Sequence, residues 1–191
     1  NGTLIHSNKE NKIMQFKRVT VKKNERGLLL RNGDFERVLQ PGTHWLVSPI
    51  DTLRVELFAL EQPAFTHGLA DYLMAKEPEV VAAEFVRVEL TETQVGLRSE
   101  NGALVEVLAP ATRRLYWKGY IDVEFETIDI AADFAIAPAS VPKIAALILR
   151  GGIKIAGSEG VFVALVPEHS VGLLYVDGKL QSGLLASGLH Y

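Results

Sequence analysis

The stretch NERGLLLRNGDFERVLQPGTHW, Asn24 to Trp45, decides the fold, because the chain writes it three times. Within it Leu28 to Leu30 and Phe35 to Leu39 flank Asn32-Gly33, a pair suited to the two central positions of a type I′ turn, where both residues need a positive φ. That is the mark of a β-hairpin. A second copy runs VGLRSENGALVEVLAPATRRLYW from Val95 to Trp117, and a third VGLLYVDGKLQSGLLASGLHY from Val171 to Tyr191.

The register is regular. Gly27, Gly33, Leu39 and Pro41 recur as Gly96, Gly102, Leu108 and Pro110, all 69 residues on, with Ala111 in place of Gly42. Gly172, Gly178 and Leu184 follow the second copy 76 residues on, and one extra residue then brings Ser187 to Tyr191 against Pro41 to Trp45. The turn pairs Asn32-Gly33, Asn101-Gly102 and Asp177-Gly178 thus hold equivalent places, the signature of an internal repeat. The segment before the second copy aligns with the one before the third, Tyr72 to Leu90 over Leu147 to Leu165, so the repeat is a whole strand-hairpin-strand-helix unit.

Working outward, Lys17 to Lys23 alternates Val19 and Val21 with polar residues, as a half-buried strand does. Leu53 to Leu60 and Ile121 to Ile130 alternate likewise, the second with acidic residues on its outward face. Phe65 to Lys76 and Pro78 to Glu84 read as two short helices parted at Glu77, because proline disfavours helix in the residue before it. Another helix is written from Ser140 to Arg150, with Ser140 as N-cap, Pro142 in the first turn and Gly151 at the stop. Val161 to Val166 opens the third copy. The expectation is an α+β fold of β-rich tandem strand-hairpin modules, in antiparallel or mixed sheets, with short helices packed on one side. Residues 1–13 read as a leader or disordered tail, 14–84 and 85–160 as two modules, the second degenerate, and 161–191 as the start of a third, truncated one.

Composition bounds the function. With 20 basic and 23 acidic residues the chain has no global positive field, which argues against nucleic acid as a partner. Its 48% apolar residues suffice for a core. The absence of cysteine removes disulfides, thiolate metal sites and cysteine nucleophiles, and fits a reducing compartment. No apolar run approaches the roughly 20 residues needed to cross a bilayer. Residues 1–13 lack the apolar core of a signal peptide.

The motif NERGLLLRNGDFERVLQPGTHWLVSP resembles the opening of the SPFH, or Band 7, domain of stomatins, prohibitins, flotillins and HflK/C, and more closely that of bacterial slipins. The resemblance rests on Asn24-Glu25-Arg26-Gly27, Arg37 to Trp45, and Asp51 to Leu57, and covers about Val19 to Leu57. It implies a homo-oligomeric scaffold, without catalytic residues or cofactors, on the inner face of a membrane, organising lipid microdomains and modulating a partner protease or channel. The expected localisation is therefore cytoplasmic or peripheral on the inner membrane.

Ser140 and Lys143 have the spacing of a Ser/Lys nucleophile pair, whose lysine would have to be buried and neutral; an N-cap followed by a solvated lysine explains them as well. The five histidines form no i, i+4 pair, so a zinc site is not expected, and His44 and His190, at equivalent repeat positions, point to a structural role. No phosphate-binding glycine motif is present. Lys17, Arg18, Lys22 and Lys23, with Phe16 nearby, form a basic stripe suited to anionic lipid headgroups, or to protecting a sheet edge. A ligand-binding groove between modules is the remaining alternative.

Overall fold

A computed structural model describes residues 15–131, 136–151, 163–176 and 178–190. The first module lays down β1 (Gln15–Val21), β2 (Glu25–Arg31), β3 (Asp34–Leu39), β4 (Gly42–Ser48) and β5 (Leu53–Ala59), then α1 (Ala70–Lys76) and α2 (Pro78–Glu84). The second repeats the order in β6 (Phe85–Glu89), β7 (Gln94–Glu100), β8 (Ala103–Leu108), β9 (Arg113–Trp117), β10 (Val123–Asp129) and α3 (Val141–Gly151). The third contributes β11 (Ala164–Val166), β12 (Gly172–Val176), β13 (Lys179–Leu185) and β14 (Gly188–His190). The class is α+β.

Strand pairing repeats with the sequence. In each module the first strand pairs with the fourth, as β1–β4, β6–β9 and β11–β14. The second strand is central, in the order β3-β2-β5 and again β8-β7-β10, while the third module has β12–β13. The hairpins close on the expected turns, with φ of 54° and 93° at Asn32 and Gly33, 49° and 77° at Asn101 and Gly102, and 74° at Gly178. Asp177 lies outside the described residues.

One close approach explains a glycine in every module. Gly27 faces Leu39, Gly96 faces Leu108 and Gly172 faces Leu185. A Cβ added to these glycines would sit 3.1, 3.4 and 3.0 Å from the opposing leucine Cβ, and 3.4, 3.1 and 3.0 Å from Val21, Leu90 and Val166 of the module's first strand. The two small sheets of a module press together at that point.

The chain forms two compact units whose limits do not follow the modules. The first ends at Arg87 and takes in Leu115–Ile121; the second holds Val88–Arg114 and continues from Asp122. The division falls inside β6 and inside β9. In the first unit, Val21, Leu29, Leu39, Leu46 and Leu53 fill the space between the two sheets. The other face of β2 and β3 carries Leu28 and Leu30 with Phe35 and Val38, and it is covered by Leu73 and Met74 of α1, Val81 of α2, and Phe85, Leu115 and Trp117. In the second unit Val95, Leu97, Leu104 and Val107 occupy the equivalent face and pack against Ile144 and Leu147 of α3, an i, i+3 pair.

Several expectations need correction. The first helix starts at Ala70, because Phe65 is drawn into the core and its N–H donates to Leu115 O at 2.9 Å. The alternating strand expected over Ile121 to Ile130 is Val123–Asp129. Ala111 is not a substitute for Gly42 but an added residue, with φ of 57°. Past it the offset rises to 70 (52 to 122): Asn32 N–H donates to Thr52 O and Asn101 N–H to Asp122 O, while Leu90 N–H meets Thr112 O as Val21 opposes Gly42. The extra residue of the third copy falls inside β13, where the register slips between Leu173 and Tyr175, so Leu185 and not Leu184 is the counterpart of Leu39 and Leu108. The counterpart of Leu90 is accordingly Val166 rather than Leu165, both Leu90 and Val166 meeting the module's close-approach glycine. Of the strand expected over Val161 to Val166, Ala164–Val166 is seen; 152–162 lie outside the described residues, as do the first 14.

Candidate functional site

The Ser140–Lys143 pair does not assemble. Ser140 is buried, its Oγ donates to Glu126 Oε1 at 3.3 Å, and its carbonyl accepts the first helical N–H, from Ile144. Lys143 is exposed to solvent. His44 and His190 repeat one contact: each donates from Nε2 to a carbonyl four residues earlier, Gln40 O and Ala186 O, at 2.7 Å. They clasp the turn into the fourth strand. Among the described residues no group of three or more His, Asp or Glu side chains could hold a metal ion.

The basic stripe is split by the strand period. Lys17 and Arg18 point to opposite faces of β1, Lys22 pairs with Glu25 at 3.2 Å, and Lys23 is exposed beyond the strand. Accepting the Lys22 backbone N–H holds the Glu25 carboxyl below the usual range. Another carboxylate, Asp51, ties the first hairpin turn to the entry of β5. It accepts from Asn32 Nδ2 at 3.0 Å, from Arg31 Nη1 at 2.7 Å and from Ser48 Oγ at 3.3 Å, and the Asn32 and Arg31 bonds lower its pKa.

What the structure exposes is apolar. On the outer face of β1–β4, Phe16 stacks on Trp45 with centroids 5.2 Å apart and Arg18 lies 5.3 Å over the same indole. Val47, opposite Phe16, continues the patch. Phe16 is 65% and Trp45 57% exposed, for side chains that ordinarily prefer burial. A second patch covers the outer face of β12–β13, where Leu173 opposes Leu184 and Tyr175 opposes Leu180, with Val171 beside them, all exposed.

Repeat equivalence gives the second patch its meaning. Leu28, Leu97 and Leu173 hold one position, at 0%, 3% and 54% exposure. In the first two modules that face is roofed by helices; in the third, nothing among the described residues roofs it, and β12 pairs there with β13 alone. Sequence reasoning singled out neither patch. The available signal was GLLYV in β12, apolar on both faces where a half-exposed strand would alternate.

Among the described residues no helix is long and apolar enough to cross a membrane. No family model, curated protein or solved structure matches this chain.

Proposed function

We propose that the protein is a non-catalytic, self-associating scaffold of the SPFH/Band 7, slipin- and stomatin-like kind, peripheral on the cytoplasmic side of a membrane, which gathers membrane-associated complexes and modulates a partner protease. The observation that carries the self-association is the module itself, used three times, with its apolar sheet face roofed twice and, among the described residues, exposed once. Contiguous exposed apolar patches mark interaction surfaces. The Ser140–Glu126 bond and the solvated Lys143 favour this reading over a Ser/Lys hydrolase. Membrane contact is favoured by Phe16 and Trp45 beside Arg18, since aromatic rings with a nearby cation suit the headgroup layer.

Light scattering across a concentration series, with flotation on vesicles containing anionic lipid, tests it. Mass rising with concentration and co-flotation are expected. A strictly monomeric chain that stays with the unbound fraction contradicts it.

A further inference from the structure

The first two hairpins turn on the same Asn-Gly pair, held in two different ways. Asn32 and Asn101 are both left-handed, with φ of 54° and 49°, and both are exposed. Each is tied by the same two bonds to the chain entering its module's fifth strand. Asn32 N–H donates to Thr52 O at 2.9 Å and its Oδ1 accepts the Thr52 N–H at 2.9 Å; Asn101 N–H donates to Asp122 O at 2.8 Å and its Oδ1 accepts the Asp122 N–H at 3.2 Å. Asn32 has a third bond, from Nδ2 to Asp51 Oδ1 at 3.0 Å, and Asp51 is itself anchored by Arg31 and Ser48. The offset of 70 that takes Thr52 to Asp122 takes Asp51 to Ile121, which carries no acceptor on its side chain, and the offset of 69 takes Arg31 to Glu100.

We propose that Asn101-Gly102 is a site of spontaneous deamidation, and that Asp51 protects Asn32-Gly33 from the same reaction. Hydroxide removes the Gly102 N–H proton, the nitrogen attacks Asn101 Cγ, and the Cγ–Nδ2 bond breaks as Nδ2 takes a proton from water and leaves as ammonia. Water then opens the succinimide, adding hydroxyl to one ring carbonyl and a proton to the ring nitrogen, to give aspartate or isoaspartate. The net change consumes water and releases ammonia. Glycine is the most permissive successor, because no Cβ obstructs its nitrogen. Ring closure brings that nitrogen onto Cγ, which a left-handed asparagine in a type I′ turn does not allow, so the turn has to open first. Opening at Asn101 breaks the two bonds to Asp122; opening at Asn32 breaks their counterparts and the Asp51 bond besides. Aspartate suits the position, since Asp177 precedes Gly178 in the third copy. Isoaspartate does not, because it puts an extra main-chain carbon into a two-residue turn, and it loosens the β7–β8 pairing.

The test ages the 191-residue chain in mildly alkaline buffer, folded and in urea, and follows the amide-to-acid mass gain by mass spectrometry in two tryptic peptides, 32–37 and 99–113. In the folded chain, peptide 99–113 is expected to convert about fivefold faster than peptide 32–37, the rate equivalent of one net hydrogen bond. In urea, where only the local sequence acts, the two rates are expected to converge. Asp51→Ala is expected to bring Asn32 up to the rate of Asn101. Equal rates in the folded parent, a faster Asn32, or a fivefold difference that persists in urea overturns the proposal, and so does an Asn101 that stays an amide in the folded chain while the unfolded chain converts. A folded Asp51→Ala chain whose Asn32 remains slow overturns the protective role of Asp51. If Asp51→Ala does not fold, Arg31→Gln, which removes one anchor of Asp51 and keeps the carboxylate, applies the same test: a faster Asn32 supports the role and an unchanged one overturns it.

Discussion

Truncating one repeat position in all three modules separates the module from its surroundings. Leu28, Leu97 and Leu173 each follow the close-approach glycine of their central strand, yet Leu28 is sealed beneath α1, α2 and Trp117, Leu97 beneath α3, and Leu173 is about half exposed. Leu→Ala at a sealed site removes the transfer energy of the lost atoms and leaves a cavity, about 3–5 kcal/mol in a rigid core. Leu28→Ala should reach that range, its neighbours being large rings that cannot collapse into the gap. Leu97→Ala should cost about 2–4 kcal/mol, because a single helix can settle inward. Leu173→Ala leaves no cavity and forfeits about half a leucine's burial, about 1 kcal/mol or less. Urea unfolding at low protein concentration, with fluorescence following the buried Trp117 and circular dichroism following the second unit, gives the three values. Equal losses at the three positions, or a loss at Leu173 as large as at Leu28, would refute the reasoning.

The hairpin turns should respond together: Gly33→Ala and Gly102→Ala, at φ of 93° and 77°, should each cost about 1–2 kcal/mol of stability to denaturant, whereas Lys143→Ala should stay within about 0.5 kcal/mol. The Asp51 pKa is depressed in the folded chain, so its contribution is present above the ordinary carboxylate value near 3.8 and is lost as pH falls through the lower folded value; Asp51→Asn should flatten that acid limb of a pH–melting curve and leave neutral-to-basic behaviour unchanged in slope. Phe65→Ala should destabilise by about 3–5 kcal/mol in thermal unfolding, since its ring touches Phe58, Phe85 and Trp117 at centroid distances of 5.3, 5.1 and 5.3 Å.

Much of the fold could be read from the chain because local signals agree there. Asn-Gly between apolar runs fixes a hairpin on its own, Pro78 and Pro142 mark helix starts, and the recurring glycines announce the repeat before any packing is known. Insertions were harder to place. An added residue at Ala111 and another inside β13 change register without changing the apolar pattern nearby, and hydrogen bonds, not composition, settle where they sit. The helix expected from Phe65 failed for a tertiary reason, its ring being needed in the aromatic core. The basic stripe looked continuous in sequence but alternates in space, because Lys17 and Arg18 are neighbours on a strand. The two apolar patches were hidden for a related cause: Leu173 and Leu28 look alike as letters, and the helices that roof one and not the other lie far along the chain.

The account stands on one module used three times, and cross-strand NOEs between α-protons and amides in the labelled chain test it most directly. It predicts the same antiparallel register in each hairpin, Gly27 opposite Leu39, Gly96 opposite Leu108 and Gly172 opposite Leu185. Finding any of these glycines opposite a different residue, or the third pair of strands unpaired in solution, would contradict it.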